Sequence, residues 1–339
     1  MAEQRDERAS VSPVRIGDVA RAAGVSVGTV SKALNDRPDV SAATRERVRA
    51  VAERLSFRPN PQARSLSTGR SFAVGLLTTD IYGRFSLPLL LGAEDELGDG
   101  DLAVIFSDTR GDPQREVRQL HTLMSRHVDG IIVNGRRIER RPPLSDTGGI
   151  PVVYALTGSS DPADCSVVPD EAGGAELALS HLLASGRRRI AHVTGPRRHS
   201  SALVRADATR AYLRDHGLAV RGRVRFGAWT EMWGRAAIAQ LLEAAPDVDA
   251  VFCGSDQIAR GVLDTLREAG RRVPDDVSVV GFDNWTVMAE ASRPPLTSVD
   301  LDIDRIGRLA ARHLVSAIEG REPPRHTVVP PRLVRRESG

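Results

Sequence analysis

Cysteine is almost absent from this chain. The two that occur in 339 residues, Cys165 and Cys253, sit in apolar settings without metal-ligand spacing, which excludes a disulfide framework and predicts buried free thiols. Long apolar runs are missing too: none approaches the roughly 18 residues of a membrane span. The first residues, MAEQRDERASVSP, lack the apolar core of a secretory signal. The expectation is a cytoplasmic chain with no membrane partner. No G-x-G-x-x-G, no G-x-x-x-x-G-K-[ST] phosphate loop and no H-E-x-x-H metal motif occurs, so nucleotide, cofactor and metal chemistry lack their usual residues. His181, His192 and His313 are scattered and read as core or surface. The expectation is no enzyme, no metal and no cofactor.

Lysine is the other scarcity, since arginine supplies every cation except Lys32. Charge is unevenly divided. Residues 1–70 hold 13 basic and 8 acidic side chains and the remainder 34 and 36, so the positive excess gathers at the N-terminal end, as a phosphate-binding module requires. With 41% hydrophobic and 27% charged residues, the rest has the composition of a globular protein long enough for two or three domains.

That N-terminal end contains RIGDVARAAGVSVGTVSKALN, residues 15–35. Ile16, Val19, Ala20 and Ala23 recur at helical spacing, and Gly24 stops the helix. Val25 plugs the turn, Ser26 caps a second helix, and Val30, Ala33 and Leu34 face back onto the first. Val27, Gly28, Ser31 and Lys32 are left outward. A helix that is small at its N-terminal end, with hydroxyls and one cation, suits a DNA major groove. Ser26, Thr29, Ser31 and Asn35 are of the phosphate-contacting type and Lys32 can reach a guanine edge. An ordinary helical hairpin with a solvated face is the alternative.

Residues 1–14 read as a disordered tail and 15–58 as the headpiece, closed by a third helix that Ser41 caps and whose Val48, Val51, Ala52 and Leu55 face inward. Residues 59–70, with Pro59, Asn60 and Pro61, allow one short hinge helix to about Ser67, too short to persist alone. Its Ala63, Arg64 and Leu66 fit a partner that is DNA: an arginine for the minor groove and an apolar wedge for a base step. A plain linker is the other reading.

From Ser71 the pattern alternates. SFAVGLLTTD, DLAVIFSDT, VDGIIVNG, IPVVYAL, RRIAHVTGP, VDAVFCGSD and VSVVGFDN are short β-branched runs separated by helical stretches. This is an α/β pattern and implies parallel, doubly wound sheets covered on both faces, in two units. Ligands bind at the carboxyl ends of such strands. Residues there are Asp80, Arg84 and Phe85; Asp108; Arg136 and Arg137; then Arg205, Trp229, Ser255, Asp256 and Asp283. Aromatic plates, an arginine fork and carboxylates suit a polyhydroxylated ligand. Each also has an ordinary explanation, as helix cap, core residue or surface ion pair.

These residues resemble the lac repressor family of bacterial transcription regulators. The likeness runs from Arg15 almost to Ser338 through IGDVARAAGVSVGTVSKALN, VSAATRERV, FRPNPQARSL, GSDQIARGVL, VPDDVSVVGFDN, PPLTSV and LVRRES. The resemblance implies an all-α helix-turn-helix headpiece, a hinge helix that folds on an operator, and a two-subdomain periplasmic-binding-protein-like core that binds a small effector and forms a homodimer. It divides the core, 71–339, into subdomain 1 (about 71–168 and 300–326) and subdomain 2 (about 169–299 and 327–339). Val27, Gly28 and Lys32 fall where family members read bases and Leu66 on the minor-groove wedge. Arg205, Trp229 and Asp283 fall on effector contacts, with Arg84, Phe85 and Ser255 near others. Gly28, Leu301, Glu171 and the RADATRAYL segment depart from the family pattern.

The expected function is a ligand-controlled repressor on a pseudo-palindromic, double-stranded operator. A solute-binding receptor without a DNA role is the alternative. The effector is expected to be a sugar, although Arg84, Arg136, Arg137, Arg197, Arg198 and Arg205 near strand ends would also suit a phosphorylated or carboxylated one.

Overall fold

The computed structural model describes residues 14–34, 37–57, 70–80, 83–98, 102–135 and 139–339. Two compact units are present, Met1–Ser71 and Phe72–Gly339. The tail expected over 1–14 and the hinge expected over 59–70 lie almost wholly outside the described residues.

The first unit has three helices, α1 (Ile16–Ala23), α2 (Val27–Leu34) and α3 (Ala42–Arg54). Gly24 ends α1 at φ 66°, a left-handed conformation that glycine adopts without a Cβ clash. Ser26 Oγ accepts from Thr29 N–H at 3.0 Å and Ser41 Oγ from Thr44 N–H at 3.3 Å, so both expected caps form. Val19, Ala20, Ala23, Val30, Ala33, Val48, Val51 and Ala52 make the small core.

The second unit holds β1 (Ala73–Thr78), β2 (Ala103–Asp108), β3 (Gly130–Asn134), β4 (Arg140–Arg141), β5 (Val152–Ala155), β6 (Gly158–Ser159) and β7 (Cys165–Pro169). It continues with β8 (Ile190–Thr194), β9 (Arg225–Phe226), β10 (Ala250–Cys253), β11 (Ser278–Phe282), β12 (Thr297–Asp300), β13 (His326–Val329) and β14 (Arg332–Val334). Two six-stranded sheets result, ordered β13-β7-β5-β3-β1-β2 and β14-β12-β11-β10-β8-β9. Every pairing in them is parallel except β14 against β12.

The chain passes between the sheets three times, after β7, β12 and β13. The expected boundary at 326/327 is therefore displaced: His326–Val329 pairs with β7 in the first sheet, and the return to the second sheet comes after Val329. Most strands are buried along their length, as crossover helices on both faces require. Edge strands β2, β9, β13 and β14 and the short β4 are the exceptions, with Phe106 and Val328 exposed.

Each lobe is locked by a reciprocal glycine contact between two helices. A Cβ on Gly92 would stand 2.0 Å from the Asp304 carbonyl oxygen and one on Gly307 2.2 Å from that of Leu89. Thus the helices Ser86–Gly98 and Ile303–Ile318 meet backbone to backbone. In the second lobe Gly234 and Gly261 do the same for Glu231–Ala244 and Asp256–Glu268, at 2.1 and 2.0 Å. No side chain fits such a contact without moving a helix. Gly307→Ala is expected to destabilise the core by about 1–3 kcal/mol, the usual cost of overpacking. Thermal unfolding measures it, and an unchanged melting temperature would contradict the contact.

Candidate functional site: a helix face and an interlobe cavity

In the first unit the start of α2 is open to solvent. Ser26, Val27, Gly28, Ser31 and Lys32 are exposed and Thr29 is partly buried. Ser26 Oγ also lies 2.9 Å from Thr29 Oγ1, so the hydroxyl pair caps the helix before it meets any phosphate. Lys32 Nζ is paired with Asp39 Oδ2 at 2.5 Å, a contact that holds the Asp39 carboxyl below its usual range. Both side chains are about half exposed, and such pairs exchange readily with other partners. Asn35, Ala63, Arg64 and Leu66 lie outside the described residues.

In the second unit a cavity of about 520 Å³ opens between the two sheets. Arg84 and Phe85 line it from the first lobe, with Asp80; Arg205, Trp229, Ser255 and Asp283 line it from the second. Sequence reasoning missed Ser201, Thr230, Gln257 and Trp285, which also line it. Trp285 follows the conspicuous GFDN segment directly.

Arg205 is the buried centre. Its Nε and Nη2 donate to the two Glu171 carboxylate oxygens, its Nη1 to the Gly254 carbonyl, and Asp283 Oδ1 lies 3.6 Å from Nη2. Its guanidinium also stacks over Phe282, 3.7 Å from the ring centre. Burial alone would lower the Arg205 pKa, but Glu171 and Asp283 raise it above the usual value. The cation is permanent.

Arg84 crosses from the other lobe. It pairs with Asp283 Oδ2, donates to Gln257 Oε1 at 3.2 Å and lies between the Phe85 and Trp285 rings at 4.9 and 5.1 Å. Asp283 therefore receives one arginine from each lobe. Trp229 is fixed by its Nε1–H to His199 Nδ1 at 2.8 Å.

Two expected residues have structural duties. Ser255 lines the cavity while its Oγ caps the following helix, accepting from Ile258 N–H at 3.3 Å. Asp256 is corrected: it is fully buried and is absent from the cavity wall. Its carboxylate takes Ser298 Oγ–H at 2.5 Å and Trp285 N–H at 2.6 Å, and so braces the turn that carries Asp283. That turn needs bracing, since Asp283 and Asn284 have φ of 97° and 46°, a region non-glycine residues seldom occupy.

Among the other strand-end residues, Asp80 Oδ2 accepts from Phe85 and Ser86 N–H at 2.7 and 2.9 Å, starting the helix there. Asp108 accepts from Arg110 N–H in its own turn. Arg197 lines a different cavity, and Arg136 and Arg137 lie outside the described residues. The thiols of Cys165 and Cys253 are buried and free. His192 is fully buried, which lowers its pKa to about 3 and keeps it neutral. Among the described residues no group of His, Cys, Asp and Glu could hold a metal ion, and no helix is long and apolar enough to cross a membrane.

Residues 15–60 match the family model described as bacterial regulatory proteins, lacI family, and residues 179–339 the periplasmic binding protein-like domain. The HTH-type transcriptional regulator CelR of Thermobifida fusca is 37% identical over 332 residues, 95% of this chain and 97% of that protein. A solved complex of the transcriptional regulator CelR with cellobiose is 34% identical, with a TM-score of 0.69, and covers 96% of this chain and 100% of that one. The lac repressor dimer bound to operator and the anti-inducer ONPF is 27% identical, with a TM-score of 0.76, and covers 96% and 99%.

Burial, with the Asp283 charge beside it, pushes the Asp256 carboxyl up to about 7, whereas in an unfolded chain it titrates near 3.9. Between those values the folded state holds a proton that the unfolded state has released. The resulting stabilisation is complete below about pH 4 and is lost as pH rises through about 7. Asp256→Asn keeps an acceptor for Trp285 N–H and removes the titration. Its melting temperature is expected to change less than that of the unsubstituted chain between about pH 5 and pH 8, and parallel profiles would contradict this role.

Proposed function

The chain belongs to the lacI family of bacterial regulatory proteins, and from that premise we propose a homodimeric transcriptional repressor whose grip on a pseudo-palindromic operator is set by a neutral, hydroxyl-rich effector of the sugar class. The observation that carries the effector assignment is the charge balance of the cavity. Arg84 and Arg205 are its two cations, and both are already engaged by carboxylates, Asp283 and Glu171. Asp80 adds a further acid to the wall. An incoming phosphate finds no spare arginine fork and meets anions instead. Hydroxyl groups can donate to Asp283 and accept from Arg84, and a sugar ring has the flat faces of Trp229, Trp285 and Phe85 to lie against. A relative solved with cellobiose supports the same class.

The DNA half rests on α2, whose exposed small residues let its backbone approach base edges while Lys32 leaves Asp39 for a guanine. A homodimer presents two such helices to two half-sites. The first lobe offers the apolar surface for it: Leu87, Leu91, Phe106 and Val117 are about half exposed on the neighbouring elements around β2. Effector contacts with both lobes bias their closure, and closure biases the grip on the operator.

Lys32→Ala is expected to reduce the preference for operator over random duplex by about 5- to 150-fold, the worth of one good base contact. Fluorescence anisotropy on both duplexes measures it, and an equal loss on the two would make Lys32 a phosphate contact. In calorimetry against paired sugars and sugar phosphates, a neutral sugar is expected to bind at least about tenfold tighter than its phosphate. The reverse order would contradict the assigned effector class.

A further inference from the structure

The second lobe carries another concave site, of about 680 Å³, which shares no lining residue with the interlobe cavity. It lies at the sheet edge formed by β9, which pairs with the end of β8 through Val193–Arg225 and Thr194–Phe226. Arg197, Arg210, Arg214, Arg223 and Arg225 line it, and no Asp or Glu does. Among the described residues no carboxylate pairs with Arg197, Arg223 or Arg225; Arg210 and Arg214 pair only with Asp207 and Asp215, which are 73% and 64% exposed. Exposed pairs of that kind are weak and give way to a stronger anion.

Arg225 makes the case sharper. Its Nη1 donates to Gln240 Oε1 at 3.1 Å, yet its Nε is buried without a hydrogen-bond partner. Burial and the neighbouring Arg223 both lower its pKa, so the folded chain sets two like charges close enough to repel. The floor is firm: Arg197 lies over the Phe226 ring at 5.3 Å, and Trp233 Nε1–H is anchored to the Thr194 carbonyl at 3.0 Å. Like charges gathered in a concavity, with a donor left unmatched, are complementary to a multiply charged anion.

We propose that this arginine-lined cleft binds a small polyphosphate, inorganic or carried on an organic group, as a site distinct from the effector cavity. The volume is that of a small-ligand pocket. Duplex DNA would need an extended basic stripe instead, and an isolated monoanion would leave most of the arginines unmatched.

Calorimetric titration of the full chain with sodium tripolyphosphate at physiological salt tests the proposal. One site per chain is expected, weakened at least about tenfold in the combined variant Arg197→Gln, Arg223→Gln, Arg225→Gln, with operator affinity unchanged as the sign that the variant is folded. Should that variant fail to fold, Arg223→Gln alone, at an exposed position, is expected to cost about threefold. No binding to the unsubstituted chain would overturn the proposal. So would binding that survives these substitutions, because it would belong to another basic surface.

Discussion

One buried guanidinium sets the terms for the core. Arg205 is 4% exposed and is satisfied by Glu171, by the Gly254 carbonyl and, at longer range, by Asp283. Charges withdrawn from water cost several kcal/mol each unless closely paired, and removing one member of such a set leaves another stranded. The network therefore constrains where its members stand more than it adds stability. Arg84 extends it to the other lobe by sharing Asp283. The two sheets, joined also by three chain crossings and by an apolar core with residues from both, thus meet across a charge contact placed where a ligand would enter.

The turn holding Asp283 shows how much surrounding structure that placement needs. Left-handed backbone at Asp283 and Asn284 carries a cost of about 1–3 kcal/mol per residue. It is met by Asp283 N–H to the Val299 carbonyl at 2.8 Å and by Asn284 N–H to Ser298 Oγ at 3.1 Å. Asp256 takes Trp285 N–H, and Arg336 donates to Asn284 Oδ1 at 2.9 Å. The last residues of the chain are tied in as well, through Ser338 Oγ–H to the Val279 carbonyl at 2.6 Å. Segments widely separated in sequence, GSDQ, GFDN, PPLTSV and LVRRES, converge on this one turn.

What was legible in the sequence is what local physics decides. Gly24, Ser26 and Ser41 mark helix ends through backbone conformation and capping, and β-branched runs mark strands buried on both faces. Strands β7, β12, β13 and β14 were not separated from their neighbours, since three to five residues carry little periodicity and long-range pairing defines them. Asp256 and Ser255 are adjacent at a strand end, yet one faces the cavity and the other points behind it, a difference fixed by the helix start. Glu171 stood out as a departure from the family pattern, but its partner lies 34 residues away and no local rule connects them. Arg197 was grouped with the other strand-end arginines, while the turn after β8 carries it into a different cavity from Arg205.

The Arg84–Asp283 contact, seated on Arg205, sets the separation of the lobes at the cavity. The direct measurement is a distance distribution between spin labels at exposed positions of the two lobes, His121→Cys and Glu243→Cys, in the full chain with its native thiols buried. A single narrow distance is predicted, becoming longer or broader when Arg84→Ala is added. An unchanged narrow distribution in that variant would contradict the account.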